Sequence, residues 1–412
     1  MLIVAIAAGL VVRHREASRW PRLSEVPPIE IAAAPLPLDD EAWALLLRAA
    51  DARENELDLR AELRPVGPPA EADLVLWQGD VEAFAHLEAA VARPGLTVPR
   101  PDYYLDEFPD LLPHQSLTRS LCLRGWDRAL RGDGEGALDD MLFPMQLGQR
   151  LLDCETALVP AIIGVAIEGI ALKELAELLD TVASDRADLM IRAADTVLAL
   201  SESPSALVRA VAWECAAGEE VYRLNFGELQ AGQGDAADMG GLQGMLLYRL
   251  GYDADMTIVW HRQRCGDEVQ QAALPWFRRE PRRFDSLWPW IGRPSVAQVL
   301  HNPAGRILIQ QYRPIFTNMV EREDRLRAIQ RGHALVWAAR AYALDHQGEL
   351  PPSAGDLVPD YIDHLPDDPF ADAPLQMEGD QVFSAADRKE RIVAEIASLR
   401  WSITPPTTVE AD

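Results

Sequence analysis

Lysine is nearly missing from this chain: Lys173 and Lys389 are the whole complement, so almost all of the 39 cationic residues are arginine. Arginine stays protonated at neutral pH and can neither act as a general base nor form a Schiff base, which leaves lysine chemistry almost no candidates. Positive charge is also short overall, with 65 Asp and Glu giving a formal charge of −26 and a pI near 4.7. Polynucleotide binding needs clustered cations that release counterions, so no nucleic-acid partner is expected. Cysteine is sparse, and Cys122, Cys154, Cys215 and Cys265 lie far apart without a CxxC, against a zinc cluster or a thioredoxin-like pair. The expectation for all four is the buried free thiol. GxSxG, GxxxxGK[ST], GxGxxG and HExxH do not occur. Their absence removes the usual supports for a nucleophile elbow, a nucleotide site or a zinc protease, and no catalytic residue is assigned.

Apolar residues, by contrast, are plentiful: 48% of 412 residues, enough for a sizeable core and for two or three domains. Leu2 to Val12 is uncharged and apolar, but eleven helical residues span only ~16 Å against a hydrocarbon core of ~30 Å. Arg13, Arg15, Arg19 and Arg22 follow, then Pro21, Pro27, Pro28, Pro35 and Pro37. Two readings stay open. Residues 1–37 are either a truncated membrane anchor with a Pro-rich linker, or an apolar end packed on the body. As an anchor, the flanking arginines favour a cytoplasmic body unless a stronger basic cluster precedes them, so the side stays undetermined.

Helical periodicity governs the rest. Residues 38–115 form an N-terminal helical region, with helices at 38–64, capped by Asp39 or Asp40, and 70–93, then an irregular loop from Thr97 to Pro113. Amphipathic helices follow near 117–130, 136–153 (Pro144 inside), 156–180, 185–200 and 205–230. Beyond a Gly-rich break at 231–244, 245–260 is predicted helical, and Asn302-Pro303 opens a long helix running to His346 with a bend at Pro314. The fold class expected is mainly α, a helical-repeat body over 116–346 and a small irregular lobe over 347–412.

Two resemblances add to this reading. Trp126, Ala129 and Leu130 followed by Gly132-Asp133-Gly134-Glu135-Gly136-Ala137-Leu138 resemble the turn opening the second helix of a tetratricopeptide repeat, which implies an α-solenoid. The run Gly348-Glu349-Leu350-Pro351-Pro352-Ser353, Leu357-Val358-Pro359-Asp360-Tyr361, Leu365-Pro366-Asp367-Asp368-Pro369-Phe370 and Pro374-Leu375 resembles the loop that ends major pseudopilins of type II secretion. A similar run closes membrane-anchored helical proteins of bacteria, whose likeness extends loosely over 116–385, Asn302-Pro303 included. The pseudopilin likeness implies calcium on Asp367, Asp368 and Asp372, although Phe370-Ala371 stands where an aromatic and a glycine are usual. The plain alternative is that these aspartates fix turns.

Three further features are candidates. Arg278, Arg279, Arg282 and Arg283, interleaved with Trp276, Phe277 and Phe284, lie in a basic stretch: residues 262–340 hold 14 Arg against 7 acids. Residues 36–116 hold 17 acids against 6 Arg, so a contact between these regions, within one chain or between copies, is the favoured reading over an anionic lipid or acidic partner. Glu168, inside the otherwise uncharged Ala157 to Leu172, carries a raised pKa if unpaired, and a carboxylate of that kind can serve as acid or base. His301 stands where it helps cap the following helix. The leading expectation is a non-enzymatic interaction or scaffold protein of the bacterial cell envelope, membrane-anchored with a soluble body, holding a protein partner or a second copy. Its rival is a hydrolase or metal-dependent enzyme with its site between body and lobe, using Glu168, His301 or the Asp367 cluster. A weaker third is an intracellular regulator with a binding groove.

Overall fold

The computed structural model describes residues 21–31, 37–53, 68–98, 111–154, 158–203, 206–231, 253–279, 302, 305, 309, 316–386 and 399–403. Over these the chain is mainly helical, as the periodicity requires. The helices are α1 Asp40–Asp51, α2 Val81–Val91, α3 Leu112–Leu130, α4 Gly134–Asp153, α5 Leu158–Thr181, α6 Ala187–Ser201, α7 Ala206–Ala231, α8 Ala254–Ala273 and α9 Phe316–Asp345. Short strands β1 Gln376–Glu378, β2 Gln381–Phe383 and β3 Arg400–Ser402 complete it.

Local chemistry sets the helix ends. Asp39 caps α1, its Oδ1 accepting the amides of Glu41 at 3.1 Å and Ala42 at 3.2 Å. The helix stops at Asp51, thirteen residues before the predicted end, because the buried stripe Ala42, Trp43, Leu46, Ala49 would next need an apolar residue at position 53 and meets Arg53. The predicted 70–93 helix is also shorter. Turns and a 3₁₀ segment occupy 71–80, and α2 starts only after Gly79, whose backbone freedom disfavours helix by ~1 kcal/mol. The predicted loop at 97–113 gives way to helix at Leu112, with Pro113 in its first turn. That helix, α3, starts five residues before its expected position and ends where expected; from α4 to α7 the expected boundaries hold within about two residues, and Pro144 lies inside α4. α8 departs most: Asp253 caps it by accepting the Met256 amide at 3.0 Å, and it runs to Ala273 before Pro275, well past Trp260. Residues 245–252, Pro303 and Pro314 lie outside the described residues, as does the segment 1–20.

Consecutive helices pack in pairs. Gly132, at φ +87°, turns the chain from α3 to α4, a left-handed conformation that favours glycine. α4 and α5 approach backbone to backbone at Gly148 and Gly164, where a Cβ on either would sit 2.7–2.8 Å from the other's carbonyl oxygen. α6 packs on α9, and α7 on α8.

One apolar core runs from Trp126, Leu138 and Met141 through Leu172, Leu175, Val197 and Trp337 to Leu357, Ile362, Leu375, Val382 and Ile403, so the C-terminal segment closes the same core as the helices. A second cluster joins α1, α2 and the start of α3 to Leu147, Leu151, Ile163 and Ile167. Two smaller ones hold α7 and α8, with Leu23 and Val26 packed against the outer one.

The C-terminal lobe is not simply irregular. β1 and β2 form an antiparallel hairpin across Gly379 (φ +60°), and β3 adds to β2 with Val382 opposite Trp401. Several contacts fasten the lobe to the helices, three of them on α9. Trp401 lies on α9 over Gly332, where a Cβ would come within 2.5 Å of its ring. The Arg340 guanidinium donates to the Ile403 carbonyl at 2.5 Å and the Ser402 carbonyl at 3.3 Å, and pairs with Asp180. Arg331 donates to the Ser201 carbonyl at 3.0 Å and the Asp367 carbonyl at 2.8 Å.

Candidate functional site

Glu168, on which the enzyme expectation draws, lies on α5 between Gly148 of α4 and Gln330 of α9. It is 2% exposed. Its Oε2 accepts a hydrogen bond from Gln330 Nε2 at 2.7 Å, while Oε1 lies buried without a partner. Burial is the main cause that pushes its carboxyl up to about 8; the Gln330 bond and Arg327 oppose, Glu323 and Asp153 add to the rise. Glu168 is therefore a neutral acid at pH 7. α4 passes tightly over it at Gly148, where a Cβ would meet Glu168 Cγ at 2.6 Å.

The neighbouring charges are engaged in holding helix ends. Glu323 of α9 accepts the first amides of α7, Ala206 at 3.1 Å and Leu207 at 3.3 Å, and an Arg327 N–H at 2.7 Å. Arg209 of α7 donates to the Leu152 carbonyl at the end of α4 at 2.7 Å and stands 3.7 Å from Asp153 Oδ1. Burial raises the Asp153 carboxyl, against Gln149 and the two arginines. Burial likewise lowers the Arg209 pKa, against Asp153 and Glu323. In the adjoining layer Arg124 forks onto Asp140 at 2.6 and 3.0 Å, and Arg150 donates to the carbonyls of Arg93 at 2.5 Å and Gly95 at 3.0 Å. Glu323, Arg327 and Gln330 share one face of α9 at intervals of four and three residues; that spacing is the signal a sequence reading missed.

The aspartates proposed for calcium do not converge. Asp368 is buried and fixes a turn: it accepts the amides of Phe370 at 2.9 Å and Ala385 at 2.7 Å and the Ser384 hydroxyl at 2.6 Å. Asp367 offers its backbone carbonyl to Arg331, and Asp372 is exposed. Among the described residues no group of three His, Cys, Asp or Glu side chains could hold a metal ion.

Within the described part of the basic segment, Arg278 and Arg279 pair outside the acidic region 36–116. Arg278 pairs with Asp372 at 3.5 Å and Arg279 with Asp324 of α9 at 2.5 Å, while Trp276 meets Phe370 edge-on at 5.4 Å. Thus the cationic motif and one calcium candidate are two sides of one contact between the end of α8 and the lobe. Arg282, Arg283 and His301 lie outside the described residues.

The free-thiol expectation holds for Cys122 and Cys154, both buried, and fails for Cys215 and Cys265, which form a disulfide between α7 and α8. His261 packs beside it, its Nε2 2.6 Å from the Cys215 carbonyl and its ring edge-on to Tyr222 at 5.0 Å. Burial holds this imidazole below the usual histidine range.

No protein-family model, curated protein or solved structure matches the chain.

Proposed function

We propose that this chain is a non-enzymatic interaction or scaffold protein of the bacterial cell envelope. Its helical-repeat, tetratricopeptide-like body holds a protein partner or a second copy, its lobe is pseudopilin-like, and its N-terminal segment anchors it to the membrane. The observation that carries this reading is the use made of interior charge. Glu323 holds the start of α7, Arg209 the end of α4, Arg331 the end of α6, and Arg340 the strand β3. Each fixes the placement of one element against another, which suits a body whose outer shape is what a partner reads.

A second reading, a hydrolase or metal-dependent enzyme, draws on Glu168, a neutral buried acid with one oxygen unbonded. Affinity capture from native membranes under mild cross-linking, together with metal analysis of the purified chain, separates the two. A stoichiometric protein partner, with Glu168→Gln capturing it as well as wild type, supports the scaffold. Stoichiometric zinc, iron or manganese overturns it.

A further inference from the structure

The Cys215–Cys265 bond joins α7 to α8 within a small apolar cluster. α8 reaches the body through two small apolar clusters, and the face it presents to α7 is built around the cross-link. Cys265 and His261 are one turn apart on α8; opposite them on α7, Cys215, Gly218 and Tyr222 are spaced by about one turn each. The imidazole enters beside Gly218, where a Cβ would come within 3.0 Å of it. The two cysteine Cα atoms stand 5.9 Å apart, inside the range a disulfide spans, and both side chains are at most 1% exposed. The flank is closed by Arg262, whose guanidinium forks onto Glu219 at 2.7 and 2.8 Å and donates to the Val26 carbonyl at 2.7 Å, tying residues 22–26 to the same hairpin.

We propose that this bond is closed in the working protein, that it fastens α8 and the segment carrying Val26 to the body, and that the body therefore matures on the oxidising side of its membrane. Cytosolic thiol pools keep such pairs reduced, whereas the bacterial periplasm closes them. Closure removes two protons and two electrons from the Cys215 and Cys265 thiols. A disulfide-donating oxidant of the thiol oxidoreductase class takes them up, its own S–S bond opening to two thiols. This orientation is the reverse of the one that Arg13, Arg15, Arg19 and Arg22 favour, and it does not depend on the body having a partner.

The test is alkylation of the full chain in intact cells. Cells are quenched with acid, the protein is denatured, free thiols are tagged with a maleimide polymer, and bands are counted with and without prior reduction. The proposal predicts two tags, on Cys122 and Cys154, rising to four after reduction. It also predicts two tags in both lanes for the double variant Cys215→Ser, Cys265→Ser, and none before reduction for Cys122→Ser, Cys154→Ser. Four tags in unreduced wild type overturn it, as does a pattern in which Cys122 or Cys154 is the protected thiol.

Discussion

The central core and the α7–α8 hairpin of this protein are held together by different means. In the core, Trp126 and Trp337 are wholly buried among side chains from α3, α4, α5, α6, α9 and the C-terminal segment, so apolar area does most of the work at roughly 25 cal/mol per Å². The hairpin divides its apolar residues between two small clusters and adds a covalent cross-link and a forked Arg262–Glu219 pair. Between α7 and α8 this chain adds to burial bonds whose strength depends on redox state and geometry. The two regions should accordingly fail under different treatments.

The largest effect is expected in the core. Trp337→Ala removes a side chain with no exposure and should cost about 5 kcal/mol, the top of the range for such truncations, seen as a collapse of the denaturation midpoint. A loss under about 1 kcal/mol would mean the core is not continuous there. Reduction of the Cys215–Cys265 bond comes next. Its sequence separation of 50 corresponds to about 4 kcal/mol in the chain-entropy account. Hydrogen exchange should show that loss in α8 and residues 22–26 while α3 to α5 stay protected; uniform deprotection would erase the distinction between the regions.

Glu168 gives a pH-dependent effect, smaller per pH unit. Its folded pKa, about 8, lies above the ordinary 4.5, so the folded state keeps a proton that the unfolded state releases between those values. Stability from this group is fully present below pH 4.5, falls by at most about 1.4 kcal/mol per pH unit as pH rises, and is lost above about 8. Glu168→Gln should flatten that slope and be the more stable protein at pH 8.5. Parallel pH profiles for variant and wild type would show that Glu168 is ionised in the fold. Smallest is Asp133→Ala. Asp133 caps α4 by accepting the Gly136 amide at 3.0 Å, and its loss should cost about 1 kcal/mol in thermal melts.

Much of this fold was legible in the sequence, because helical periodicity and capping are local. Asp39, Gly132, the end of α3 and the boundaries of α4 through α7 follow from neighbouring residues. The over-long first helix came from extending periodicity past Ala49, where the buried face had already ended. What stayed hidden involves residues distant along the chain. Arg331 and Arg340 bind backbone carbonyls more than 35 and 60 residues away, and a carbonyl has no letter in the sequence. Cys265 lay beyond the predicted end of its helix, so its pairing with Cys215 had no common face on which to be seen. The basic segment and Asp372 were each noticed, yet nothing local connects them.

The central claim is that buried arginines and carboxylates fasten elements to one another. Hydrogen exchange on Arg340→Met tests it most directly, since that guanidinium bonds the carbonyls of Ser402 and Ile403 while the methionine retains apolar bulk. The account predicts that the peptide spanning residues 399–403 exchanges at least tenfold faster while α3 to α5 keep their protection. Unchanged protection of β3 would contradict it.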